Sequence, residues 1–120
     1  MVKRDIRDYL NDILKHIDLA QAFVEGMQFD DFKRDDKTVL ALTRAIEIIG
    51  EATKQVPMAY RSQYPDISWK SYIGMRDRLA HAYFGVNLDI VWSTTLEDLP
   101  KLKPAVQAIL EDVQVSTESL

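Results

Sequence analysis

The 120-residue sequence predicts an all-α fold, an antiparallel up-down bundle of four to five helices. Three observations predict it. Apolar residues recur at alternating steps of three and four over long stretches, which is the period of a helix face. Strand-like alternation of useful length is missing. The breakers Gly26, Pro57, Pro65 and Gly85 fall between the periodic stretches.

Each element follows in order. Ile6, Leu10, Ile13, Ile17, Ala20 and Val24 trace one apolar stripe, with Tyr9, His16 and Phe23 beside it and Gly26 as its stop. From Gln28 to Lys37 the chain is polar, anchored by Phe29 and Phe32, with room for a short turn of helix. Asp35 and Asp36 are positioned to cap a second long helix, whose apolar face is Val39, Leu42, Ile46, Ile49 and Val56. Arg44, Glu47, Glu51 and Lys54 fall off that stripe, and Pro57 closes the helix. Met58 to Tyr64 reads as a brief helical turn. Ser68 is the expected N-cap of a helix from Trp69 to His81 or Tyr83, which Gly85 and Asn87 break. A last helical stretch starts near Leu88 and carries Leu99, Leu102, Val106, Ile109 and Val113. Pro100 stands at the first turn of a new helix or at a kink. Residues 1–115 are expected to form a single domain and 116–120 a frayed tail.

Composition narrows the function. With 47% hydrophobic and 28% charged residues, the chain has the means for one core of its own. The absence of cysteine excludes disulfides and thiolate zinc sites, and two histidines make a His-rich metal site unexpected. Composition leaves a carboxylate magnesium site open, but neither a metal nor a cofactor is expected. No apolar run approaches the ~20 residues of a membrane helix and no signal-peptide pattern opens the chain, so the expected compartment is the cytoplasm. A net charge of −4 and a pI near 5.1 argue against a broad electrostatic grip on nucleic acid. Contact with RNA would have to come from a local cluster such as Arg76, Arg78 and Lys70, which a symmetric dimer would double.

The chemically loaded segment is Met75 to Phe84, which gathers Arg76, Asp77, Arg78, His81 and Tyr83 at the end of one helix. An arginine and a histidine together can grip a phosphate and move a proton. Asp77 and His81 are four apart, so the carboxylate can accept a hydrogen bond from the imidazole. Arg76 and Tyr83, seven apart, lie on nearly the same stripe. Arg76 and His81 are five apart, about 140° around an ideal helix. They converge only if the helix unwinds near His81 or if a two-fold axis brings in a second copy. The same residues also fit a plainer pattern: a solvated charged face, His81 as a C-terminal cap, and Tyr83 with Phe84 as core anchors.

Arg76-x4-His81-x-Tyr83 resembles the motif of HEPN-domain ribonucleases, in the form found in HepT toxins. Ile48 to Ala52, Tyr64 to Trp69, Gly74 to Arg76 and Ile90 to Trp92 resemble further blocks of that family in the same order, covering the chain from about Asp5 to Leu110. The resemblance implies a helical homodimer that cleaves tRNA or mRNA without a metal and leaves 2′,3′-cyclic phosphate ends. It also implies an MntA-type nucleotidyltransferase antitoxin as partner, which silences the toxin by transferring AMP to a tyrosine. Carried over by position, Arg76 and His81 are the catalytic pair and Tyr83 the residue modified. Asp77 stands where the family usually has Asn, and its negative charge beside an RNA phosphate is expected to lower activity. Glu51, in the Gly-Glu-Ala block, either reaches the motif helix or makes a buried salt bridge to an arginine, and Arg78 is a further supporting cation. Gly50 is expected to permit close helix packing, His16 to pack or lie on a dimer surface, and Trp69 and Trp92 to anchor the core or an interface. The alternative is a noncatalytic helical module that docks a nucleotidyltransferase and presents substrate to it.

Overall fold

A computed structural model describes residues 4–81 and 87–118. They form α1 (Ile6–Phe23), α2 (Phe29–Arg34), α3 (Asp36–Lys54), α4 (Met58–Arg61), α5 (Trp69–Ile73), α6 (Met75–His81), α7 (Leu88–Ser93) and α8 (Leu99–Glu118). One π-helical turn, Thr94–Asp98, joins α7 to α8. The fold is all-α, as the periodicity predicts. Among the described residues, no helix is long and apolar enough to cross a membrane.

The apolar stripes become the core. Leu10, Ile13, Ile17 and Ala20 of α1 are buried, as are Leu42, Ile46 and Ile49 of α3 and Leu99, Leu102, Val106 and Ile109 of α8. α1 is the central element, packing against both α3 and α8. Trp92 closes one end over Phe29 and Phe32, with ring centroids 5.9 and 5.2 Å away. Side chains fix where the long helices start. Asp5 accepts the Arg7 amide at 2.8 Å, and Asp8 reaches back to the Asp5 amide at 3.1 Å. Asp35 is the cap of α3, accepting the Thr38 amide at 3.1 Å, and this bond holds its carboxyl below the usual carboxylate range.

Three details depart from the sequence reading. The helix expected to run unbroken from Trp69 is interrupted at Gly74, the C-cap of α5, whose amide still makes the last helical bond, to the Lys70 carbonyl at 2.9 Å. A Cβ there would sit 3.1 Å from that same carbonyl, so the turn suits glycine. Ser68 does stand at the N-cap of α5, but its side chain makes no capping bond. Pro100 lies in the first turn of α8, as the sequence predicts, and the chain widens just before it. The Leu99 amide reaches back five residues to the Thr94 carbonyl, and the proline that follows has no N–H to offer. The Thr95 carbonyl thereby loses its usual intrahelical donor, and the Gln21 side-chain amide of α1 donates to it instead. α8 then continues to Glu118, through the start of the stretch expected as a tail.

Candidate active site

The site is built where α3 meets the corner between α5 and α6. Gly50 allows the meeting: a Cβ on it would lie 3.0 Å from the Tyr72 carbonyl and 3.9 Å from the Arg76 amide. Backbone therefore packs directly on backbone, as expected for this glycine. The next residue on α3, Glu51, is carried alongside Arg76, and its Oε1 lies 3.0 Å from Arg76 Nη1. Both side chains remain well exposed, at 46% and 62%. An ion pair this open contributes little stability, no more than about 1 kcal/mol. Its effect is orientational, because the carboxylate fixes one edge of the guanidinium and leaves the rest facing solvent. Of the two roles open to Glu51 in the sequence, the structure shows the reach to the motif helix; the pair it makes there with Arg76 is open to solvent, not the buried bridge that is the other expectation.

Around this pair lies a cleft of about 250 Å³, lined by Gly50, Glu51, Lys54, Lys70, Ile73, Gly74, Arg76 and Asp77. Its floor is anchored from behind. Met75 and Leu79 bury the opposite face of α6. Tyr72, 5% exposed, donates its phenol to the Asp98 carbonyl at 2.7 Å, tying α5 to the π turn, and burial pushes its pKa up to about 12. The Trp69 indole, buried on α5, donates to the Tyr64 carbonyl at 3.1 Å.

The structure brings some of the sequence candidates together and separates others. Arg76, Asp77, Glu51 and Lys70 share the cleft. Arg78 does not line it; its guanidinium donates to the Ser71 carbonyl at 2.8 Å and borders Ile46, Met75 and Ile90 instead. His16 is half-buried, with Nδ1 2.7 Å from the Asp12 carbonyl one turn earlier on its own helix. α6 is helical from Met75 to His81, so the interruption falls before Arg76 and not between Arg76 and His81. The His81 ring and all of Tyr83 lie outside the described residues, and with them the expected Asp77–His81 bond. Among the described residues, no three His, Asp or Glu side chains gather as a metal-ligand set. Lys54 is the charged cleft residue that the sequence did not single out, although it follows Glu51 by one turn on α3.

Comparison with known proteins gives a consistent result. Residues 13–109 match the family described as Ribonuclease HepT-like. The chain is 46% identical over 102 residues to "Probable ribonuclease HepT" of Thermococcus cleftensis, covering 85% of this chain and 93% of the relative. Two relatives that carry the name "Putative RNase" are similar over comparable lengths. One, from Caldanaerobacter subterraneus, is 42% identical over 105 residues, 88% of this chain and 94% of its own. The other, from Methanocaldococcus jannaschii, is 36% identical over 119 residues, 99% of this chain and 98% of its own. No solved structure matches the chain. The chain belongs to the HepT-like ribonuclease family.

Proposed function

We propose that this protein is a metal-independent endoribonuclease, the toxin of a toxin–antitoxin pair, which acts as a homodimer on cytoplasmic tRNA or mRNA. The observation that carries the reading is the open face of Arg76, set by Glu51 at the rim of a lysine-flanked cleft in a chain of ribonuclease ancestry. His81 acts as base, taking the proton from the ribose 2′-hydroxyl, or as acid, giving one to the leaving 5′-oxygen, with water exchanging the other proton, and the 2′-oxygen attacks phosphorus. The bond to the 5′-oxygen breaks, that oxygen leaves with a proton, and a 2′,3′-cyclic phosphate remains. Arg76 faces the non-bridging oxygens, where negative charge grows in the transition state. Its position five residues before His81 on one uninterrupted helical segment supports a composite site, with the arginine of one copy facing the histidine of another.

Regulation follows from the same motif. An MntA-type nucleotidyltransferase transfers AMP from ATP to the Tyr83 oxygen, forming the Tyr83 O–P bond and releasing pyrophosphate. The new phosphodiester adds negative charge where an RNA phosphate must enter, and its nucleoside occludes the site. The test is RNA cleavage in EDTA. Arg76→Ala and His81→Ala should each lower the rate at least a hundredfold. Cleavage that EDTA abolishes and His81→Ala spares would overturn the mechanism. Light scattering should give twice the 13.8 kDa chain mass. Incubation with the cognate transferase, ATP and magnesium should add AMP to the wild type and none to Tyr83→Phe, which remains an active nuclease. An adduct on another residue would refute the regulatory assignment alone.

A further inference from the structure

We infer that Lys54 and Lys70 form a second phosphate subsite, taking the RNA phosphodiester next to the one that Arg76 holds for cleavage. This rests on the ribonuclease reading of the Arg76 site and extends it along the strand.

The two lysines come from different elements, Lys54 from the end of α3 and Lys70 from α5, yet they line the same cleft as Arg76. The backbone contact at Gly50 holds those elements together, so the positions of the lysines are set by a rigid junction. Their lack of partners is the second observation. Arg4, Arg7, Arg44 and Lys103 are each matched to a carboxylate, Asp12, Asp5, Glu47 and Asp18 respectively. Among the described residues, Lys54 and Lys70 have neither an ion pair nor a side-chain hydrogen bond, as is also true of Lys15, Arg34 and Lys101; what sets the two apart is that they stand unpaired in one cleft with Arg76. Within the cleft Glu51 is engaged by Arg76, which leaves Asp77 as the other acid there. Three cations against two carboxylates make this cleft locally positive in a chain of net charge −4.

The chemistry of the pair defines what it takes. A lysine ammonium is a compact point charge on a flexible stem, suited to the non-bridging oxygens of a phosphate and blind to base identity. The cleft therefore grips backbone, without sequence preference, beside a phosphate already marked by Arg76.

A substrate with one phosphodiester separates this role from catalysis. Lys54→Gln/Lys70→Gln should raise KM about tenfold or more on a ten-nucleotide RNA, and change cleavage of a dinucleoside monophosphate by less than threefold. Lys54→Arg/Lys70→Arg should restore the longer substrate. Lys15→Gln/Lys101→Gln, at exposed positions outside the cleft, controls for the loss of two charges. Binding of a 2′-O-methyl ten-mer, which cannot be cleaved, should show a salt dependence shallower by about 1.4 in the log–log slope when both contacts are lost. Equal losses on both substrates, or no loss on either, would overturn the subsite. If the wild type cleaves neither substrate, the ribonuclease reading falls and the uncleavable ten-mer decides the subsite alone. An unchanged slope, or no measurable affinity, then overturns it.

Discussion

α3 makes two helix contacts of opposite kinds. It packs along α1 within the core, where its Leu42, Ala45, Ile46 and Ile49 are all nearly or fully buried, and the join is filled with side-chain volume. Toward α5 and α6 it presents Gly50, and the join exists because a side chain is missing. The first contact excludes water and charge. The second brings backbones together and leaves Glu51, Lys54, Lys70 and Arg76 standing around its rim. One helix thus separates what holds the molecule together from what the molecule presents to a ligand.

Four substitutions test how complete that separation is. The largest effect on stability should come from Ile49→Ala, which opens a cavity in the filled contact at a site with no exposure. Urea unfolding should show a loss of about 2–5 kcal/mol, while nuclease activity measured well below the melting temperature is retained. A loss below about 1 kcal/mol would mean that the α1–α3 face is far looser than its burial indicates. Gly50→Ala comes next. Its Cβ meets the Tyr72 carbonyl at 3.0 Å, an overpacking that should cost about 1–3 kcal/mol. Unlike Ile49→Ala, it should cost activity beyond its cost in stability, because the backbone that must yield carries Arg76.

Tyr72→Phe should cost about 1 kcal/mol by removing the donor to the Asp98 carbonyl. It also carries a pH signature. The folded phenol titrates at about 12 against an ordinary value of 10.0, so above pH 10 the folded state holds the proton more firmly than the unfolded one. Stability from this group is complete below pH 10 and declines as pH rises toward 12, a decline that Tyr72→Phe should lack. Glu51→Gln should have the smallest effect on stability, within about 0.5 kcal/mol, since its pair with Arg76 is open to solvent. A loss of several kcal/mol would make the rim part of the scaffold after all.

The filled contact was legible in the sequence and the empty one only in outline, for a physical reason. The stripes Leu10–Ile13–Ile17 and Leu42–Ile46–Ile49 are local patterns, and a 3.6-residue period needs no partner to be recognised. Gly74 lies inside an otherwise helical run, where glycine costs only about 1 kcal/mol relative to alanine. Whether the run breaks there depends on tertiary contacts that the local sequence does not contain. The widening before Pro100 likewise leaves a carbonyl whose donor, Gln21, comes from the first helix of the chain. At the site, Arg76 was marked by its motif and Glu51 by its block, but Lys54 looks like any lysine on a solvated face. Only the cleft that it shares with Lys70 sets it apart.

The wide turn at Thr94–Asp98 also bears on which chain lengths this fold can accept. A turn that spans five residues instead of four is a helix with one residue to spare, so deleting a residue from 96 to 98 would return it to ordinary pitch. The buried faces of α7 and α8 would keep their phase. Pro100 forbids that shortening by itself, since its ring would then press on the Thr95 carbonyl four positions back. That carbonyl, in turn, would no longer need Gln21 if a residue with an N–H replaced the proline. Segment length, the proline and the α1 glutamine are therefore bound into one set: a shorter relative of this chain should lack Pro100 and be free to change Gln21.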